Sequence, residues 1–247
     1  MKEENRNFFW SGQTLKWYRS AAEYSCYHAE LAKLVAPAFA DCETVCDLGC
    51  GTGLLSLALL SYLPRITALD RDTGALSALK EQAGDYPGLC IRQADATKLE
   101  PADRWDGILL SFFGRISGDD HFRYFMEHCN RTLVCIVNTS VKSSFSSTGV
   151  SSMKKEYSDQ VERFLMEREI PYTRQDAVLE FGQPLNTLEE ARDFINHYSP
   201  PGCEVTDEAG LIHILERLPD GRWYLPHRKK IGIFVINKED LQNEHLS

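Results

Sequence analysis

Between residues 42 and 140 the chain switches repeatedly between two hydrophobic periods. Short apolar runs bounded by turn residues read as buried strands: ETVCDLG, ITALD, GLCIRQAD, WDGILLSFF and TLVCIVNTS, in that order. Stretches with helical spacing lie between them. GLLSLALLSYL follows the first strand, and GALSALKEQAG follows the second behind an Asp72–Thr73 cap. SGDDHFRYFMEHC precedes the fifth, opened by Ser117 and by acidic residues where the helix dipole favours negative charge. Upstream, apolar positions 17, 21, 24, 28, 31 and 35, counting amphipathic His28, recur in steps of four and three. They predict one helix over Trp17–Val35, stopped by Pro37. Strands alternating with helices predict an α/β protein with a mainly parallel sheet covered on both faces.

Beyond Ser140 the texture changes. VKSSFSSTGVSS is rich in Ser and Gly and reads as a mobile loop, and a helix follows over about Met153–Arg168. DAVLEFG reads as a further strand, and TLEEARDFINHY as a short helix capped by Thr187. PPG at 200–202 breaks the chain, LIHILERL precedes the turn PDGR, and KIGIFVI is a strand. Four parts are expected: residues 1–40 and 141–205 as additions, 41–140 as the core, and 206–247 as strands completing it.

Composition narrows the chemistry. With 36 acidic against 27 basic residues the net charge is −9, a field that repels polyanions, so no nucleic-acid partner is expected. The short basic run Arg228–Lys230 reads as solvated flanking of a strand. MKEENRNFFW is not a secretory signal, and Leu54–Leu63 is too short to span a bilayer, so no membrane association is expected. The eight cysteines then read as reduced thiols in the cytoplasm.

The segment CETVCDLGCGTG (42–53) holds both cysteines and glycines that could bind something. Cys42 precedes the strand, Cys46 lies within it and Cys50 lies past its end, so three thiols do not converge, and no metal is expected. The glycines do more. A Gly-rich turn between a buried strand and a helix lets a ligand approach the backbone and aims helix N–H groups at it. Carboxylates then recur at successive strand ends: Asp47, Asp70 and Asp95. Asp70 stands where an acid accepts ribose hydroxyls, and Asp95 where one reaches a purine amino group. A nicotinamide-dinucleotide fingerprint would need GxGxxG, whereas position 54 is Leu.

VCDLGCGTG (45–53), ITALDRD (66–72) and IRQADAT (91–97) resemble the class I S-adenosylmethionine-dependent methyltransferases, with a looser match at WDGILLSFF (105–113). The resemblance implies a Rossmann-like methyltransferase fold: a seven-stranded, mostly parallel sheet with an antiparallel last strand, supplied here by KIGIFVI. Helices would cover both faces, with an N-terminal helical lid over 1–40 and a substrate-cover insertion after the fifth strand, over 141–205. It implies S-adenosylmethionine as cofactor and S-adenosylhomocysteine as product. Asp47, with Gly49, Cys50 and Gly51, would hold the amino-acid end, directly or through water. Asp70 would take the ribose hydroxyls, with Arg71 beside the adenine. Asp95 would bind the adenine amino group with the Ala96 backbone nearby, and Ser111 would face the methionine part or the substrate.

Many amino-methylating members carry (N/D/S)PP(Y/F) after the fourth strand; SFFG at 111–114 lacks both prolines, which argues against DNA-adenine or protein-glutamine methylation and leaves the acceptor atom open. A small-molecule acceptor is expected, with Tyr18, Tyr24 and Phe112 as candidate substrate contacts. Tyr18 and Tyr24 read equally as core between helix and sheet. A cofactor-binding protein without transferase activity and a protein methyltransferase remain alternatives.

Overall fold

The computed structural model describes residue 10 and residues 12–151, 155–205 and 207–243. Residues 1–9 of the expected N-terminal lid, and positions 153–154 at the start of the helix expected over about Met153–Arg168, lie outside the described residues.

The chain folds into two compact units. The larger holds residues 28–139, 156–177 and 230–247, and the smaller holds 1–27, 140–155 and 178–229. In chain order the elements are α1 (Gly12–Ser25), α2 (Tyr27–Val35), β1 (Val45–Leu48), α3 (Leu54–Leu59), β2 (Ile66–Asp70), α4 (Thr73–Ala83), β3 (Leu89–Gln93), β4 (Trp105–Ser111), α5 (Asp119–His128) and β5 (Cys129–Asn138). There follow α6 (Ser158–Glu167), β6 (Thr173–Glu180), β7 (Gln183–Leu185), α7 (Leu188–Tyr198), α8 (Glu208–Ile214), β8 (Glu216–Arg217), β9 (Trp223–Leu225), β10 (Arg228–Asn237) and α9 (Lys238–Asn243).

One seven-stranded sheet runs in the order β3-β2-β1-β4-β5-β10-β6. Strands β1 to β5 pair in parallel, and β10 pairs antiparallel with β5, Phe234 opposite Cys135. The fold is therefore the Rossmann-like methyltransferase architecture, with its antiparallel last strand supplied by KIGIFVI. A chain reversal between β1 and β4, on opposite sides of which successive strands are added, makes the carboxyl edge there the natural crevice.

Period-two alternation fixes what each strand presents. Cys46 and Leu48 on β1 join Ile108, Leu110, Leu133 and Cys135 in a buried cluster with Phe125, Val161 and Leu165 of α5 and α6. Asp47 therefore points to the other face, where α3 lies. On that face Ala68, Leu76 and Leu79 pack together. Gly107 is required by packing: a Cβ there would sit 2.6 Å from the Phe39 ring, which is fully buried.

Several elements differ from the sequence reading. The expected helix Trp17–Val35 is two helices, because Cys26 adopts a left-handed φ of 52° and Ser25 Oγ bonds back to the Ala21 carbonyl at 2.7 Å. α3 stops at Leu59, short of the full apolar run. Ser117 does not cap α5; Gly118 occupies that position, and the Ser117 hydroxyl and N–H donate to Glu156 instead. The loop after Ser140 is tied down by Ser151 N–H to Val141 O (2.8 Å) and Ser143 N–H to Gly149 O (2.9 Å).

The smaller unit carries a three-stranded sheet, β7-β9-β8. Its core gathers Trp17, Leu185, Phe194, Ile195, Leu211 and Trp223. Thr187 caps α7 as expected, its hydroxyl accepting from Glu190 N–H at 3.0 Å.

Candidate cofactor site

β1 delivers Asp47 to the end of the sheet, and the chain then turns through Gly49, Gly51 and Gly53, with φ of 72°, 55° and 67°. Left-handed φ at three alternate positions strongly favours glycine. At Gly49 a second reason applies: a Cβ there would fall inside the Phe113 ring. The turn is pinned to β2, with Gly49 N–H and Cys50 N–H both donating to the Leu69 carbonyl, at 2.8 and 3.1 Å.

Asp70 closes the same turn. Its Oδ2 accepts Gly51 N–H at 2.7 Å and its Oδ1 accepts Asp72 N–H at 2.9 Å. Each carboxylate oxygen can accept a further hydrogen bond, so the residue orders the loop while keeping acceptor capacity.

Asp47 is 2% exposed. Its Oδ2 accepts the Ser56 hydroxyl at 2.6 Å, but its Oδ1 is buried with no hydrogen-bond partner among the described residues. Burial pushes its carboxyl up to about 6; the Ser56 bond opposes that and the Asp70 charge adds to it. A buried carboxylate oxygen left unmatched beside a glycine turn is matched by an added cationic donor. Thr52 Oγ1 is likewise buried and unmatched. The Cys50 thiol is held protonated, first by burial and then by the neighbouring Asp47 and Asp70 charges, so it is no thiolate ligand.

Asp95 follows β3. Its Oδ1 accepts the N–H and hydroxyl of Thr97, at 3.0 and 2.7 Å, which holds its carboxyl below the usual range. Its Oδ2 lies 4.0 Å from Lys98 Nζ. Arg71 is exposed and close enough to Asp95 to lower it further; Ala96 is buried. Ser111 ends β4 half-buried opposite Ile136. Phe112 follows with a left-handed φ of 54°, a strained conformation for a side chain of its bulk at the end of a central strand.

Asp70 is thus joined to the glycine turn by a direct hydrogen bond and Asp47 to Ser56 of α3, with Asp95, Arg71, Ser111 and Phe112 on the same unit. Tyr18 and Tyr24 belong to the smaller unit, on α1. Tyr18 packs on Trp10 and Phe181, with centroids at 4.9 and 5.6 Å; Tyr24 is 44% exposed and packs on Tyr224 at 4.9 Å. Sequence reasoning missed Ser56 and Thr52. Ser56 left a trace, as the lone polar residue in LLSLALL.

Residues 45–134 match the sequence profile described as a methyltransferase domain. This span contains every element of the site just described. Residues 45–134 are a class I S-adenosylmethionine-dependent methyltransferase domain. The methyltransferase domain has relatives among RNA-named proteins. One stretch is 41% identical over 66 residues to ribosomal RNA small subunit methyltransferase A of Novosphingobium aromaticivorans, covering 26% of this chain and 24% of that protein. Another is 36% identical over 78 residues to the tRNA1(Val) (adenine(37)-N6)-methyltransferase of Vibrio vulnificus, covering 30% and 33%. The chain therefore spans a third or less of the length of the curated relatives it matches.

Among solved structures, the YcgJ protein of Bacillus subtilis superposes with a TM-score of 0.54 at 14% identity, covering 85% of this chain and 98% of that one. Magnesium protoporphyrin IX methyltransferase of Synechocystis PCC 6803, solved with bound S-adenosylmethionine, gives 0.50 at 11% identity over 94% and 88%. At these identities the likeness is one of fold.

The relatives overturn one expectation. No nucleic-acid partner was expected from net charge, and a small-molecule acceptor was expected beside it, yet the curated relatives of the methyltransferase domain are named for ribosomal RNA and tRNA. Net charge sums over the whole surface and does not report the local field at a binding face. Among the described residues no helix is long and apolar enough to cross a membrane, and no group of three His, Cys, Asp or Glu is placed to hold a metal ion.

Proposed function

We propose that this chain transfers a methyl group from S-adenosylmethionine to RNA. The observation that carries the cofactor half is Asp47 Oδ1, buried and unmatched, two residues before a glycine turn that Asp70 holds in shape. These residues fit the cofactor. Asp47 would hold its ammonium, the 49–53 backbone would lie along its amino-acid end, and Asp70 would accept from ribose hydroxyls. Asp95 and Arg71 would flank the adenine, with Ala96 nearby and Ser111 toward the methionine part.

When bound, the cofactor supplies a methyl carbon on a sulfonium, open to in-line displacement by an acceptor lone pair. The chain's part is then alignment and exclusion of water. Asp47 fixes a cation, Asp70 fixes a sugar, and the Phe113 ring against Gly49 fills the space behind the turn. Aromatic side chains near the reacting centre are compatible with a sulfonium, and Phe112, directly after β4, would be the candidate to supply one.

The RNA half rests on the names of the relatives, and SFFG at 111–114, without the two prolines of (N/D/S)PP(Y/F), argues against a DNA-adenine acceptor. Calorimetry with S-adenosylmethionine tests the first half: a single site is expected, weakened about ten- to a hundredfold by Asp70→Ala. Label transfer from the cofactor to total RNA tests the second. Binding without transfer to RNA removes the acceptor reading; absence of binding removes both.

A further inference from the structure

Asp47 and Glu156 are the buried carboxylates among the described residues, and the cofactor takes only the first of them. Glu156 is 6% exposed and belongs to the same unit as the cofactor site. Its neighbour Tyr157 pairs in parallel with Asn138, the last residue of β5, so Glu156 stands at the carboxyl end of that strand. The loop that leaves β4 donates to it three times. Ile116 N–H goes to Oε2 at 3.0 Å, Ser117 N–H goes to Oε1 at 3.0 Å, and the Ser117 hydroxyl goes to the same Oε1. Both oxygens are used. An amide in this place offers one acceptor oxygen and turns a donor toward the other N–H. A carboxylate is costly to bury, and here it is matched by backbone donors that an irregular segment cannot pair within itself.

The same loop carries Phe113, whose ring lies where a Cβ of Gly49 would stand. The loop is fixed on both sides of that ring. Phe112 N–H donates to the Ile136 carbonyl at 2.9 Å, and the fully buried Ile116 belongs to the cluster against which Phe113 packs. Only Gly114 and Arg115 separate Phe113 from Ile116. Gly114 takes a left-handed φ of 71°, and a Cβ there would sit 3.3 Å from the Phe125 ring. A connection this short and closely packed has little slack, so a displacement of Ile116 reaches Phe113 and, through its ring, the Gly49 turn.

We propose that Glu156 is a positioning residue for methyl transfer: its hold on Ile116 and Ser117 sets the Phe113 ring against Gly49, and thereby the turn on which the cofactor's amino-acid end lies. The proposal rests on the cofactor half of the function proposed above. Glu156 acts through Phe113 and not by contact with the cofactor, and its effect is selective. The nucleoside is held by Asp70 and Asp95, after other strands, so a displaced Phe113 ring weakens the grip on the amino-acid end alone.

The test is calorimetry of the full chain with S-adenosylhomocysteine and with methylthioadenosine, a nucleoside thioether that lacks the amino-acid end. Glu156→Gln is expected to weaken S-adenosylhomocysteine about fivefold and to change methylthioadenosine by less than about twofold. Glu156→Ala should weaken the first compound further, and Glu156→Gln carries the test where the alanine variant does not fold. In a Phe113→Ala background, Glu156→Gln should change S-adenosylhomocysteine affinity by less than about twofold, because the ring that relays the effect is gone. A merely structural glutamate would lower the Tm of the same samples and leave the affinity of the folded chain unmoved. Unchanged S-adenosylhomocysteine affinity in Glu156→Gln, equal weakening of both compounds, or the same loss with and without the Phe113 ring overturns the proposal. If the natural chain binds neither compound, the cofactor reading falls and this proposal with it, a result distinct from those three, in which the natural chain binds.

Discussion

Asp47 makes a prediction whose size follows from the structure. Its carboxyl rises from an ordinary 3.8 to about 6 in the folded chain, first because it is buried. Well below pH 3.8 the group is protonated both folded and unfolded, and it costs nothing. As the pH climbs, the unfolded chain ionises first and is favoured, so stability present at low pH is lost up to and through pH 6. About two pH units at roughly 1.36 kcal/mol each give a loss of about 3 kcal/mol. Asp47→Asn keeps an acceptor for Ser56 and cannot ionise, so it lacks this loss. Urea unfolding of both proteins from pH 4 to 7.5 should show the stability difference, natural chain minus variant, falling by about 3 kcal/mol toward neutral pH. The difference also cancels the opposite trend from Asp103 and Asp119, whose carboxyls are held low by arginine partners. S-adenosylmethionine, by pairing its ammonium with Asp47, should restore the lost stability at pH 7.5 and not in the variant. A difference constant within about 0.5 kcal/mol would refute the reasoning, since it would mean that the carboxyl ionises as if in water.

Three further outcomes are expected. Gly49→Ala combines a left-handed φ with displacement of the Phe113 ring and should cost about 2–3 kcal/mol, read as a lowered Tm with weaker cofactor binding. Asp70→Ala frees Gly51 N–H and Asp72 N–H and should cost about 1–2 kcal/mol of stability in addition to its effect on binding, measured by urea unfolding. Glu156→Ala removes the acceptor for Ile116 N–H, Ser117 N–H and the Ser117 hydroxyl in a buried position. It should cost about 2–3 kcal/mol by the same measurement, while Glu156→Gln should cost less.

The parallel sheet could be read from the chain because its central strands β1, β4 and β5 are buried on both faces and so appear as apolar runs, and because β10 is strongly strand-like. The glycine turn and the three acids were visible for a similar reason: each occupies the residue or two after an apolar run. What escaped notice was set by contacts distant in sequence. The break at Cys26 uses a residue with no preference for left-handed backbone. β7, β8 and β9 are two or three residues long and are defined by pairing, not by pattern. Ser117 is a good capping residue drawn away by a carboxylate 39 positions on. Ser56 is an ordinary helical serine until Asp47 is placed against it. The expectation of no nucleic-acid partner failed because charge was summed over the chain, and a sum does not report the field at any one face.

The most direct test is a crystal structure of the chain grown with S-adenosylhomocysteine. The nucleoside is predicted to lie across the ends of β1, β2 and β3, with its ammonium against Asp47 Oδ1, its ribose on Asp70 and its adenine by Asp95. Electron density for the compound at another place, or Asp47 Oδ1 still facing no cation when the compound is bound, would contradict the account.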